Sequence, residues 1–67
     1  MKNLSLRQLQ VFDAVAETLS YSGAADLLGI TQPAVSMLMR QLEADAGVAL
    51  TVRQGRRMDL TAAGTML

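Results

Sequence analysis

Thr31-Gln32-Pro33-Ala34-Val35-Ser36-Met37-Leu38-Met39-Arg40 is the stretch on which the fold turns. Thr31 offers a side-chain oxygen to the unpaired backbone N–H groups of a helix start. Pro33 then sits in the first turn, where a missing N–H leaves no intrahelical bond unmade. At about 100° per residue the helix divides into two arcs. Val35, Leu38, Met39, Leu42 and Ala46 gather on one and are predicted to pack inward. Gln32, Pro33, Ser36, Met37 and Arg40 gather on the adjoining arc and are predicted to face outward. The helix is expected to run to about Ala46 and to end at Gly47. Its outward set suits a helix laid in the major groove of a duplex. Gln pairs bidentately with adenine, a short hydroxyl reaches phosphate or a base edge, Arg neutralises phosphate, and a thioether can meet a thymine methyl. Thr31 and the helix start add backbone donors and a partial positive charge suited to a phosphate oxygen. A single surface Gln is more often merely solvated, so the reading rests on the whole arc.

Immediately upstream, Gly29 can adopt the left-handed conformation that ends a helix, and Ile30 and Thr31 complete a short turn. A second helix is expected from about Ser22 to Leu28, capped by either Ser20 or Ser22. Further upstream, Ser5 and Gln8 have the spacing of a capping box, so a first helix should start at about Ser5. Leu9, Phe12, Val15, Ala16 and Leu19 fall in one arc of it and are the predicted core stripe. Ala25, Gly29 and Val35 supply a small residue where two helices touch, a Gly in the turn, and an apolar residue that locks the crossing. That is the helix-turn-helix requirement. Two-helix turns also occur in folds that never touch DNA, so the spacing alone does not decide the matter.

Downstream, Leu50 to Arg53 and Met58 to Leu60 read as two short strands around the polar turn Gln54-Gly55-Arg56. The hairpin carries Arg53, Arg56 and Arg57. Beside a recognition helix such a tip can grip phosphates or enter the minor groove. Arg53 and Arg56 are the favoured contacts, with Arg57 left as a solvated charge or a partner for Asp59. Thr61 can cap a fourth helix starting at Ala62-Ala63, and the chain is expected to stop inside it at Leu67. The expected architecture is mainly α, a winged helix-turn-helix of three helices, a two-stranded β-hairpin wing and the start of a linker helix. Residues 1–61 form the domain, with the helix-turn-helix at about 21–40 and the wing at about 50–60. Residues 62–67 are the truncated linker helix.

Composition narrows the function. The chain has 67 residues, no His and no Cys. Disulfides, the usual zinc sites and Ser-His or Cys-His nucleophilic arrangements are excluded, and an enzyme is not expected. A chain of this size buries only roughly 60% of its unfolded surface, leaving no room for a deep cleft. Glu43 and Asp45, two apart on a helix, point away from each other and cannot converge on a metal, so they are read as solvated or as salt-bridge partners. Apolar runs stay short of the roughly 20 residues of a membrane span, and no secretory pattern opens the chain, so a cytoplasmic protein without membrane contact is expected. Lys+Arg and Asp+Glu balance at 6 each, but Arg53, Arg56 and Arg57 cluster with only Asp59 near them. A local basic patch survives overall neutrality. The neutral balance also keeps a rival in play, a winged helix that presents the same surface to a protein partner.

Together these residues resemble the N-terminal DNA-binding domain of LysR-type transcriptional regulators. The resemblance covers nearly the whole chain. It runs from Leu6-Arg7-Gln8-Leu9 with Phe12, through Ser20-Tyr21-Ser22 before Ala24-Ala25, to Thr31-Gln32-Pro33-Ala34-Val35-Ser36 with Leu42-Glu43. It continues at Gly47-Val48, Leu50, Arg53, Gly55-Arg56 and Leu60-Thr61. The Gln-Pro-Ala-Val-Ser run with the following Leu-Glu is the specific part, and Thr31 to Met37 is similar to regulators of carbon-fixation operons. Carried over by the resemblance, Gln32, Pro33 and Ser36 are recognition-helix contacts, Ser22 and Thr31 are capping hydroxyls near phosphate, and Arg53 and Arg56 are wing contacts. Thr51 and Met37 depart from the family pattern, which usually has an aromatic or Leu and often has Arg at these places. The resemblance implies double-stranded DNA with an interrupted palindromic operator as partner, and a longer parent that dimerises through its linker helix. It also implies a C-terminal domain that binds a small-molecule effector, with no cofactor in this chain.

Overall fold

Each helix of the described residues begins at a hydroxyl. A computed structural model describes residues 4–67, so the first three residues of the expected 1–61 unit lie outside it. The elements are α1 (Leu6–Thr18), α2 (Tyr21–Leu28), α3 (Gln32–Ala46), β1 (Thr51–Gln54), β2 (Arg57–Leu60) and α4 (Ala62–Met66). The Ser5 hydroxyl accepts from the Gln8 N–H at 3.0 Å while the Ser5 N–H donates to Gln8 Oε1 at 2.9 Å, completing the capping box. The Ser20 hydroxyl accepts from Gly23 N–H at 2.9 Å, Thr31 from Ala34 at 3.4 Å, and Thr61 from Gly64 at 3.1 Å. The cap of α2 is therefore Ser20. Ser22 is not a cap but the second residue of a helix that starts at Tyr21.

The turn between α2 and α3 needs Gly29, whose φ of 70° lets the chain reverse and aim α3 across α2. The core then assembles from Val11, Phe12, Ala14 and Val15 of α1, Ala24 and Ala25 of α2, Val35, Met39 and Leu42 of α3, and Leu50 below the hairpin. On α3 Val35, Met39 and Leu42 of the expected inward arc are buried and Leu38 packs half-buried at its edge, while Ala46 is half-buried and outside the core cluster. On α1 it is rotated. Leu9 and Leu19, expected in the core, are 40% and 38% exposed, and the buried stripe instead runs through Gln8, Val11, Phe12 and Val15. Apolar residues cover more than half of this helix, so its period could not select the stripe. The approach of α2 and α3 does. Gln8 tolerates burial because its Nε2 also donates to Asp45 Oδ2 at 3.2 Å, tying α1 to α3.

The hairpin pairs Thr51 with Leu60, Val52 with Asp59, Arg53 with Met58 and Gln54 with Arg57. Gln54 thus belongs to the ladder, and the turn is the two residues Gly55-Arg56 rather than three. Leu50 lies outside the ladder and is 1% exposed. Its backbone is held from two sides. The Thr61 N–H donates to the Leu50 carbonyl at 3.0 Å and the Thr61 hydroxyl to the Ala49 carbonyl at 2.7 Å, which seats α4 on the foot of the wing. On the other side Glu43 Oε2 accepts from the N–H groups of Leu50 at 2.8 Å and Thr51 at 3.3 Å. Glu43 is half-buried and accepts two backbone hydrogen bonds, so it is not the solvated or salt-bridged acid expected; Asp45 is exposed, as expected, and also accepts the bond from Gln8. No helix among the described residues is long and apolar enough to cross a membrane.

Candidate nucleic-acid interface

Three pieces of backbone meet on one side of the molecule: the start of α2, the start of α3 and the tip of the hairpin. Between them lies an open cleft of about 170 Å³ to which Ser22, Gln32, Arg53 and Arg56 contribute. Four expected contacts from three separate elements are thus brought to one place. Ser20, Tyr21, Leu19 and Met58 complete the wall.

Strand alternation explains which arginines take part. Arg53 pairs with Met58 and shares a face of the hairpin with Thr51 and Leu60. Met58 and Leu60 pack on the core, so this is the face turned to the helices. Arg57, one register position away, lies on the opposite face with Gln54 and makes an exposed ion pair with Asp59 at 3.6 Å. Such a pair contributes little to stability. It is the partner the sequence suggested. Arg56 occupies the turn itself. Among the described residues neither Arg53 nor Arg56 has a carboxylate within ion-pair distance, so the hairpin side of the cleft carries uncompensated positive charge. Two helix N-termini add partial positive charge of the same sign.

The remaining expected contacts lie along α3, outside the cleft. Gln32, Ser36 and Arg40 follow at four-residue intervals, with Pro33 and Met37 one position round, which gives a continuous strip on the helix surface. Gln32, Pro33, Met37 and Arg40 are exposed, whereas Ser36 is half-buried and presents less of itself than expected. The Thr31 hydroxyl caps α3 and stays exposed. The strip is convex and polar with one thioether, and its N-terminal end runs into the cleft at Gln32. A helix surface of this shape fits a major groove, while the cleft and its arginines fit the adjacent phosphate chain. No group of three or more His, Cys, Asp or Glu that could hold a metal exists among the described residues.

Sequence reasoning did not find Leu19, Tyr21 and Met58 as wall residues. Tyr21 stood out as the only Tyr, and its place beside Ser20 and Ser22 was visible. What was not visible is that the hairpin folds back to face it. Leu19 ends α1 with φ 52°, a left-handed conformation unusual for a residue with a side chain, and this bend turns the start of α2 toward the wing.

The family model described as bacterial regulatory helix-turn-helix protein, lysR family, matches residues 6–65. The chain is 58% identical over 62 residues to the HTH-type transcriptional regulator CbbR of Rhodospirillum rubrum, covering 92% of this chain and 21% of that protein. It is 53% identical over 62 residues to the RuBisCO operon transcriptional regulator of Allochromatium vinosum, covering 92% and 20%. The chain thus spans about a fifth of the length of these curated relatives. Among solved structures it superimposes on a LysR-family transcriptional regulator from Eggerthella lenta with a TM-score of 0.90 at 38% identity, covering 94% of this chain and 90% of that one. It also superimposes on the protein of a CbnR DBD–DNA complex with a TM-score of 0.88 at 44% identity, covering 94% and 72%.

Proposed function

Because the chain belongs to the LysR family of bacterial regulatory helix-turn-helix proteins, we propose that it is the DNA-reading head of a LysR-type transcriptional regulator. The observation that carries the reading is the meeting of Ser22, Gln32, Arg53 and Arg56 at one positively charged cleft, at the end of an exposed polar strip on α3. In this reading α3 enters the major groove. Gln32 makes the base-specific contact, while Pro33, Ser36 and Met37 set the fit against base edges and methyl groups. Ser22 and the capped start of α3 at Thr31 hold phosphate, Arg40 holds phosphate on the opposite flank, and Arg53 and Arg56 follow the backbone to the neighbouring groove. The role is one of recognition, without catalysis. That the matched relative at 44% identity was crystallised with DNA supports it.

Residues 1–61 make the reading unit, and α4 is the beginning of a linker helix that in the parent protein leads to a dimerising segment and an effector-binding domain. A two-fold dimer of such heads reads an interrupted palindrome, because two-fold protein symmetry calls for two-fold operator symmetry. Its place of action is the bacterial cytoplasm.

The test is fluorescence anisotropy of a labelled duplex against this chain across a salt series, with a mixed-sequence duplex and a duplex enriched by selection on the same protein. The expected result is an affinity that falls log-linearly with salt through counterion release and favours the selected duplex. Failure to bind either duplex at low salt, with the same failure after the linker helix is restored, would favour a protein partner for this surface.

A further inference from the structure

Glu43 lies at the far end of α3 from the cleft. Eleven residues separate it from Gln32, which is roughly 16 Å along a helix axis. It therefore cannot touch what the cleft holds. Its carboxylate nonetheless reaches out of the helix to the Leu50 N–H at 2.8 Å and the Thr51 N–H at 3.3 Å, the two donors at the foot of the wing. The placement runs against local electrostatics, since an acid near a helix C-terminus meets the negative end of the dipole. Two charge-assisted bonds to backbone donors offset that disadvantage.

These bonds bear on the wing because, beside the packing of Leu50, Met58 and Leu60 on the core, they are the side-chain hydrogen bonds that tie its foot to α3 among the described residues. A two-stranded hairpin is marginal alone, and its tip stands about 10 Å beyond Leu50 at Arg53 and further at Arg56. A small rotation at the foot is magnified at the tip. Thr61 holds the same foot from the opposite side, through Leu50 and Ala49 carbonyls, but it belongs to α4 and ties the wing to that helix rather than to α3.

We infer that Glu43 is a positioning residue: by clamping the Leu50 and Thr51 amides to α3 it sets the span between Gln32 and the wing arginines, so that one duplex can meet both. Its consequence for binding rests on the DNA-reading proposal. The geometric part stands without it. Glu43→Ala removes both bonds, and Glu43→Gln keeps a weaker acceptor of the same shape.

The first arm needs no DNA. Residual dipolar couplings of the free chain are expected to fit one alignment tensor for α1–α3 and the wing amides of Thr51 to Leu60 in the wild type, and to require a separate tensor for the wing in Glu43→Ala. Glu43→Gln is expected to lie between, and serves alone if the Ala variant does not fold. One shared tensor in every folded variant overturns the inference, whatever the outcome with DNA. In the second arm, on a labelled mixed-sequence duplex, Arg56→Ala is expected to weaken binding about tenfold in the wild type and under about threefold in the Glu43 variant, whose salt slope falls by about one to two. A full Arg56 penalty in both backgrounds also overturns it, because mere destabilisation by Glu43 substitution adds to the Arg56 effect instead of absorbing it. A wild type that ignores DNA sinks the functional reading and leaves the dipolar couplings to decide the geometry.

Discussion

Gly64 lies directly on the backbone of Leu50: a Cβ built on Gly64 would run into the Leu50 carbonyl oxygen, the same oxygen that accepts the Thr61 N–H. The first turn of α4 can approach the foot of the wing only because residue 64 has no side chain. Gly64→Ala is expected to destabilise the fold by about 1–3 kcal/mol, the usual range for overpacking against an atom that cannot yield. Thermal unfolding followed by circular dichroism measures it. Gly29→Ala is the contrast, since a Cβ there meets nothing within 4 Å and only the left-handed backbone resists, at about 1–2 kcal/mol. Chemical shifts of Ala49 to Thr51 should move in the first variant and stay in place in the second.

The two serines beside Tyr21 are expected to separate stability from binding. Ser20→Ala removes the cap on Gly23 and should cost about 1 kcal/mol of unfolding free energy. Ser22→Ala leaves every cap in place and should be neutral in stability within about 0.5 kcal/mol while weakening duplex binding. Equal losses of stability in the two variants would show that Ser22 has a structural role not visible in its hydrogen bonds.

Gln32→Ala is expected to lower discrimination between the selected and the mixed-sequence duplex by about 1–3 kcal/mol, as for a lost bidentate base contact. The quantity to follow is the ratio of the two affinities in one buffer. If both fall equally and the ratio holds, Gln32 positions the head on phosphate and reads no base.

The arginines of the hairpin are expected to behave oppositely according to their face. Arg56→Ala should weaken binding to every duplex and reduce the salt slope by about one. Arg57→Ala should change the slope little, since Arg57 lies on the outer face beside Asp59. Salt titrations of the two variants side by side check this, and a larger slope change for Arg57 would place the duplex on the wrong side of the wing.

Much of this architecture is written in short stretches of the chain. The starts of α1, α3 and α4 follow from Ser5 with Gln8, from Thr31 with Pro33, and from Thr61, because a cap needs only a side-chain oxygen and a donor two or three residues on. The end of α3 at Gly47 and the split of α3 into an apolar and a polar arc are equally local, as helical period and backbone sterics act within a turn or two. Long-range choices were not legible. Which stripe of α1 is buried depended on where α2 and α3 approach, so Leu9 and Leu19 stayed partly exposed while Gln8 was enclosed. Glu43 and Asp45 found their donors 7 and 37 residues away, at Leu50 and Gln8. Arg57 was set apart in the sequence as a solvated charge or a partner for Asp59. That it and Arg53 lie on opposite faces, and which face meets the helices, follows from the register of the hairpin and the side on which it packs. Local rules decide where elements begin, end and are amphipathic, since those energies are settled between near neighbours. The facing of one element to another is settled by burial and hydrogen bonds between residues far apart in the chain, and these take their values when the domain closes.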